Sequence, residues 1–327
     1  MLKSFIFDII ILMITKPITD LSLLEKFKTL HEDGMTVFMI GDGIARGAFF
    51  HGTRFVNKMR AQHELGILET LVLGHASLCA ALLIPMMKGH ERTVFRCDTK
   101  GPLVGFSTEA FSEGFVRGYL LQDPIVSNEQ LSNWNLKPLF GEGKISVVRF
   151  TEASIKTGTP PITGITEIKH KNIALDLSEY FLRSEQTVTG FNTGIQFDKE
   201  GKVIGAGGMY IQLMPNADND ENKEIIEKIE HAFSAVPSLG QWFSERGNRE
   251  DVIFGLFRDC GVQVLLERQI DFNCPCSEDG FRNKLSVLPK QELEDMYKNG
   301  SDIIELYCHN CGSVYKYKKE ILKELLV

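Results

Sequence analysis

No Gly-x4-Gly-Lys-Ser/Thr stretch occurs in the 327 residues, so the chain lacks the loop that cradles phosphates in P-loop nucleotide-binding proteins. It has no His-Glu-x-x-His either, since His63 and His75 do not stand at that spacing, and this removes the familiar helical zinc-peptidase pair. A basic excess is also missing. The formal net charge is -7, and the segment from Asp271 onward carries ten acidic and eight basic side chains, so phosphate neutralisation by a nucleic-acid binder finds no support. Seven cysteines form an odd count with no dense framework, which argues against a disulfide-stapled secreted fold. The apolar opening, Phe5 to Ile14, is interrupted by Asp8 and is too short to span a bilayer. No small-residue cleavage site follows it, and we expect a buried helix or strand there, or an extension upstream of the natural start.

What the chain does contain is a pair of cysteine pairs, Cys274-Pro275-Cys276 and Cys308-His309-Asn310-Cys311. Four thiols in two close pairs are the ligand set of a tetrahedral zinc site, one ion per chain. In extended backbone residues i and i+2 face the same way, and Pro275 biases Cys274 toward that geometry. The second pair reads as a knuckle: a strand over Ile303 to Tyr307, a tight turn at Cys308 to Cys311, Gly312 able to take positive φ, and a return strand over Ser313 to Tyr317. Cys79, Cys97 and Cys260 stand in apolar or strand-like surroundings and are expected to be buried small hydrophobes. On spacing alone the plainest reading is a permanent zinc staple for a domain too small to build its own core.

The composition, 43% hydrophobic and 9% aromatic, suits an ordinary globular protein of two or three domains. Gly43 to Phe55 is expected as the first strand of the main domain. Asn57 to Lys88 follows as one long helix, with Leu65, Leu68, Leu71, Val72, His75, Leu78, Cys79, Leu82 and Leu83 at helical spacing. His75 on that stripe is expected to be a satisfied core histidine. Short strand-like runs separated by glycine follow, and Asn172 is placed to cap a helix through Leu175, Tyr180 and Leu182. Val188 to Phe197 and Lys202 to Met214 read as a hairpin around Asp198-Lys199-Glu200-Gly201. Gly205-Ala206-Gly207-Gly208 precedes no helix, so a glycine-softened strand or bulge is expected and a nucleotide loop is not. The fold class is α+β: an antiparallel-sheet core domain with packed helices over 1–216, of which 1–40 are atypical. A helical linker over 217–270 and a small C-terminal four-cysteine zinc domain over 271–327 complete it. In the linker, Ile225, Ile226, Ile229, Phe233 and Val236 form one apolar stripe. Ile253, Leu256 and Phe257 form another, on a second short helix over Asn248 to Arg258. Helices of this length do not persist alone, so they must cover an apolar surface.

With the cysteine signature Cys274, Cys276, Cys308 and Cys311 in place, the chain resembles the heat-shock protein 33 family of redox-regulated molecular chaperones. Two further stretches agree, Tyr180-Phe181-Leu182-Arg183-Ser184-Glu185-Gln186 and Gly207-Gly208-Met209-Tyr210-Ile211-Gln212-Leu213-Met214-Pro215, and the likeness runs from about Gly43 to near the C-terminus. The resemblance implies an ATP-independent holdase of the cytoplasm, inactive when reduced and zinc-bound. It implies that oxidation forms a disulfide within each cysteine pair, releases zinc, unfolds the linker and exposes apolar surface to unfolding client proteins. It further implies a monomer when reduced and a homodimer when active, with no membrane or nucleic-acid partner and no enzymatic turnover.

The chemistry of the residues is compatible with this. Metal-bound thiolates are the form that oxidants attack, and oxidised sulfur is a poor ligand. A zinc enzyme is disfavoured because four cysteines close the coordination shell. A thiol oxidoreductase using Cys308 and Cys311 would want a strand-to-helix turn, and this pair lies between strands. A constitutive zinc-stapled scaffold differs from the switch only in its response to oxidant.

Overall fold

Short strands joined by glycine turns build the larger of two units in the computed structural model, which describes residues 18–127 and 134–326. The apolar opening, Phe5 to Ile14, lies outside these residues. The larger unit is Ile18–Phe272. In chain order it runs α1 (Leu21–Thr29), β1 (Gly34–Ile40), β2 (Ala45–His51), α2 (Thr53–His63), α3 (Ile67–Leu83), β3 (Arg92–Thr99), β4 (Gly105–Phe111) and β5 (Phe115–Leu120). There follow β6 (Gly143–Phe150), α4 (Glu152–Thr157), β7 (Ile162–Glu167), α5 (Ile173–Arg183), β8 (Thr189–Phe197) and β9 (Val203–Leu213). The unit closes with α6 (Lys223–Ser234), α7 (Leu239–Ser244), α8 (Arg249–Leu256), β10 (Val262–Arg268) and β11 (Asp271–Phe272).

One sheet has the order β10-β1-β2-β9-β8 and the other β11-β5-β4-β3-β6-β7, antiparallel throughout except where β11 joins β5. The expected antiparallel core is therefore present. Two details of the expectation differ. The first strand is β1, ahead of β2, and β2 ends at His51 because Thr53 already starts a helix. The long helix expected over Asn57 to Lys88 is two helices, since Glu64 closes α2 in the left-handed conformation (φ 58°) and the extended Gly66 starts α3. A glutamate carries no sequence signal for that conformation; the break lets α3 turn into the core. There α3 is apolar on nearly every side and buried, as a helix hydrophobic all round must be in a globular fold. His75 on α3 is half-buried with Nδ1 2.7 Å from Thr193 Oγ1, and Cys79, Cys97 and Cys260 are buried thiols, as expected.

The shared sheet of β1, β2 and β9 has two apolar faces. One joins α2, α3 and α5 in the main core through Met35, Ala48, Phe50 and Tyr210. The other carries Phe38, Phe49, Met209 and Ile211, which are covered by Ile229, Leu239, Phe243, Val252, Ile253 and Phe257 from α6, α7, α8 and the turn beyond. The linker stripes thus pack on an apolar surface. Contact is close enough to explain the glycines of β9. A Cβ on Gly205 would lie 2.0 Å from the Gly240 carbonyl oxygen, so α7 rests backbone against backbone on the hairpin of β8 and β9. The register shift in that hairpin falls between Gln196 and Phe197, opposite Gly205 and Val203, so the bulge lies beside the first of the glycines. Beyond the three helices, β10 adds a strand to the free edge of β1, so the helical linker expected over 217–270 also contains a strand.

The buried His51, the half-buried His75 and the buried Asp33 make opposing contributions to the acid response of this unit. Burial holds both His51 and His75 down to about 4, so each contributes stability above its ordinary value near 6.5 that is lost as pH falls toward 4. Asp33 works the other way. Burial raises it to about 7 against the backbone amides of Arg54 and Phe55 that it accepts, so its contribution is present at low pH and lost as pH rises through 7. The two effects oppose each other between pH 4 and 6.5. Asp33→Asn, which keeps the accepting oxygen but not the titration, is expected to show the steeper loss of stability across that window in urea unfolding; an unchanged slope would refute the account.

Candidate metal centre

The smaller unit, from Asn273 onward, contains α9 (Glu278–Ser286), α10 (Lys290–Asn299), β12 (Ile303–Tyr307), β13 (Val314–Lys318) and α11 (Ile321–Leu326). Strands β12 and β13 pair antiparallel from Ile303↔Lys318 to Tyr307↔Val314, which leaves Cys308 to Ser313 as the turn. Within it the Gly312 amide donates to the Cys308 carbonyl at 2.8 Å, the Cys308 amide donates to the Ser313 carbonyl at 2.8 Å, and Gly312 takes φ 68°. The expected knuckle is present. Ser277 caps α9 by accepting from the Gly280 amide at 3.1 Å, which fixes where the segment carrying Cys274 and Cys276 enters the helix.

All four Sγ atoms lie within 4.8 Å of one another. Cys274 and Cys308 are 3.8 Å apart and Cys276 and Cys311 are 3.4 Å apart, and all seven cysteines are free thiols. A tetrahedral ion with sulfur ligands at about 2.3 Å places them about 3.8 Å from each other, so the cluster could hold a metal ion. The thiols also share their protons unevenly. Contacts with Cys276 and Cys308 bring Cys274 down to about 7, and contacts with Cys274 and Cys308 bring Cys311 down to about 6. Cys276 is pushed up by Cys274 but carried down to about 7 by Cys308 and Cys311, while Cys308, bonded to the other three, is pushed far up. The mutual contacts thus favour the thiolate form at three of the sulfurs, the form in which cysteine binds a metal.

Around these sulfurs the unit builds a small core, with Leu293 and Leu322 buried elsewhere in it. Its buried cluster comprises Cys274, Phe281, Leu285, Cys308, Cys311 and Tyr317, so half of it is cysteine. Phe281 stacks on Tyr315 at 4.8 Å, and the Tyr317 hydroxyl donates to the Glu278 carbonyl at 2.6 Å. Sequence reasoning missed two polar neighbours. The Tyr315 hydroxyl donates to Cys276 Sγ at 3.0 Å, and Ser313 Oγ lies 3.2 Å from Cys311 Sγ. The available signal was their alternation along the return strand, which turns residues 313, 315 and 317 to one face.

Comparison with known proteins now bears on this geometry. The family model described as Hsp33 protein matches residues 33–318. The chain belongs to the Hsp33 family. Relatives named 33 kDa chaperonin include one from Thermotoga maritima, 32% identical, covering 85% of this chain and 94% of the relative, and one from Bacillus cytotoxicus, 26% identical, covering 87% and 95%. The crystal structure of the 33 kDa chaperonin (heat shock protein 33 homolog) from Thermotoga maritima superposes with a TM-score of 0.79 at 29% identity, over 90% of this chain and 98% of that one. Both stretches that carried the resemblance lie in the larger unit of this Hsp33-family chain, on α5 and β9 and the residues that follow each.

Removal of the Tyr315 hydroxyl leaves Cys276 without its donor while keeping the ring on Phe281. Tyr315→Phe is therefore expected to weaken metal retention about 10- to 100-fold in a chelator competition with the fold kept. Affinity equal to that of the parent protein would remove Tyr315 from the centre.

Proposed function

We propose that this chain is a redox-regulated, ATP-independent holdase of the cytoplasm, inactive when reduced and zinc-bound and active when oxidised. The observation that carries the reading is the second apolar face of the shared sheet, whose cover is three helices of 12, 6 and 8 residues. Elements this short hold their shape only while packed, so what unseats them uncovers Phe38, Phe49, Met209 and Ile211 together. That is a patch of the kind that captures unfolded chains.

When bound, a zinc ion holds Cys274, Cys276, Cys308 and Cys311 as thiolates and closes the small unit's core. Peroxide or hypochlorous acid takes two electrons from each cysteine pair. With hydrogen peroxide, one S–S bond forms per pair and the oxidant's O–O bond breaks, its oxygens leaving as water. Disulfides Cys274–Cys276 and Cys308–Cys311 are the expected products, and the first closes a small ring around Pro275 and should be the more easily reduced. Disulfide sulfur ligates poorly, so the small unit loses the core it shares with the metal and unfolds. Cys274 follows β11 by two residues, so this loss reaches the end of the segment that contains α6, α7, α8 and β10. Clients are unfolding proteins, bound by a monomer that becomes a homodimer on oxidation.

The test is to oxidise reduced protein with peroxide under mild warming. Metal release, free thiols, amide exchange over residues 217–326 and suppression of aggregation of a thermally unfolding client are followed together. Release of one zinc per chain, with exchange and suppression rising together, supports the switch. Oxidised, metal-free protein that keeps 217–326 protected and suppresses no better than the reduced form would leave a constitutive zinc staple. Peptide mapping that finds Cys276 joined to Cys311 would overturn the pairing.

A further inference from the structure

A cavity of about 450 Å³ opens in the larger unit beside β2, β6, β9, α3 and α5, apart from the cysteine cluster and from the face under α6 to α8. Its size is that of a small-molecule pocket. Leu83 and Phe181 are buried in its wall, and Met86, Met87 and Met214 add half-buried, deformable side chains. Three arginines face the same space, and two of them have a carboxylate partner, though Glu109 is shared between Arg92 and Arg117. Arg92 pairs with Glu109, and Arg149 Nη2 lies 2.9 Å from Glu185. The wall's own carboxylates are engaged: Glu185 also accepts from the Tyr180 hydroxyl at 2.6 Å, and Glu91 accepts from the Lys88 amide at 3.0 Å.

Arg46 differs from the other two. Its Nε and Nη2 donate to the amide oxygen of Gln212 at 2.8 and 2.6 Å, and among the described residues no carboxylate lies within ion-pair distance of it. A half-buried guanidinium without a counter-charge, at the edge of an apolar chamber, matches a ligand with one carboxylate and one hydrocarbon chain. We infer that this cavity binds a medium-chain carboxylate of roughly ten carbons, its head on Arg46 and its chain along Leu83, Phe181 and the methionines. This goes beyond the redox reading and does not rest on it. Ligand on Arg46 also braces Gln212, Leu213 and Met214, the last residues of β9 and the first beyond it, where the Met214 amide donates to the Ile44 carbonyl at 2.9 Å.

The experiment titrates reduced, full-length protein with octanoate, decanoate and decanol in a calorimeter. Decanoate should bind one site, octanoate more weakly by about fourfold per methylene removed, and decanol at least tenfold more weakly than decanoate. Amide exchange should slow at residues 212–214 on decanoate binding. Arg46→Gln should cost decanoate at least tenfold and leave decanol unchanged, while Leu83→Trp, which fills the chamber, should abolish both. Should Leu83→Trp fail to fold, the Arg46→Gln comparison decides the matter alone. Decanoate that fails to bind, binds at many equivalents, protects residues elsewhere, or binds Arg46→Gln as well as the parent protein overturns the inference. Aggregation of a client is not measured in this experiment, so its outcome is independent of the chaperone reading.

Discussion

Cys308→Ser, purified under reducing conditions, is expected to retain less than about a tenth of the parent protein's zinc and to lose the folded structure of residues 273–326. The size of the effect follows from what the small unit buries. Three of the six side chains in its central cluster are cysteines, and its two-stranded sheet is too small to persist without support. The apparent binding energy of a structural zinc in small sites is on the order of 10 kcal/mol, a large share of what can hold so small a unit folded. The main core of the larger unit, to which α6, α7 and α8 contribute nothing, should keep its secondary structure. Metal analysis and amide exchange on the same sample check both parts. Full zinc content in Cys308→Ser would remove the four-cysteine assignment, and Cys79→Ser, Cys97→Ser or Cys260→Ser should each leave the zinc stoichiometry at one.

Gly205→Val is the second large effect, and it tests the cover without touching the metal. Its Cβ would stand 2.0 Å from the Gly240 carbonyl oxygen and 2.5 Å from the Ser244 amide nitrogen, both backbone atoms that cannot swing aside. Helix α7 must lift from β8 and β9, and Leu239 and Phe243 go with it. The reduced, zinc-loaded variant should then suppress client aggregation without oxidant and bind a hydrophobic dye several-fold more strongly than the parent protein. Gly255→Ala is the matched control. Nothing lies within 4 Å of a Cβ there, so it should only firm α8, by about 1 kcal/mol, and leave the reduced protein inactive. If Gly205→Val folds with α7 displaced and still holds no client, the covered face is not the binding surface.

The two substitutions also separate what could be read along the chain from what could not. Cys274, Cys276, Cys308 and Cys311 stood out because metal chelation by paired ligands is a short-range property, written in spacings of two and three residues. The knuckle, the Asn172 cap and the hairpin around Asp198 to Gly201 were legible for the same reason: each is closed by hydrogen bonds between near neighbours, such as Asn172 accepting from the Leu175 amide at 3.1 Å. The break at Glu64 was not legible, because an unremarkable residue takes a left-handed turn there only so that α3 can enter the core.

By itself the sequence determined the α+β class, the four cysteines that cluster, and the existence of apolar helical stripes after residue 217 that required a surface to cover. Only the tertiary structure decided which surface, since Phe38 and Phe49 of the neighbouring β1 and β2 become one face with Met209 and Ile211 of the distant β9 through strand pairing. It likewise decided that Gly205 serves the approach of Gly240 and that β10 completes an edge of the sheet. It was also what left Arg46 facing a cavity with no carboxylate of the described residues within ion-pair distance of it. Local pattern sets what a residue can do through its nearest neighbours; which face it buries, and what it meets there, depends on pairings across long stretches of chain that no local spacing encodes.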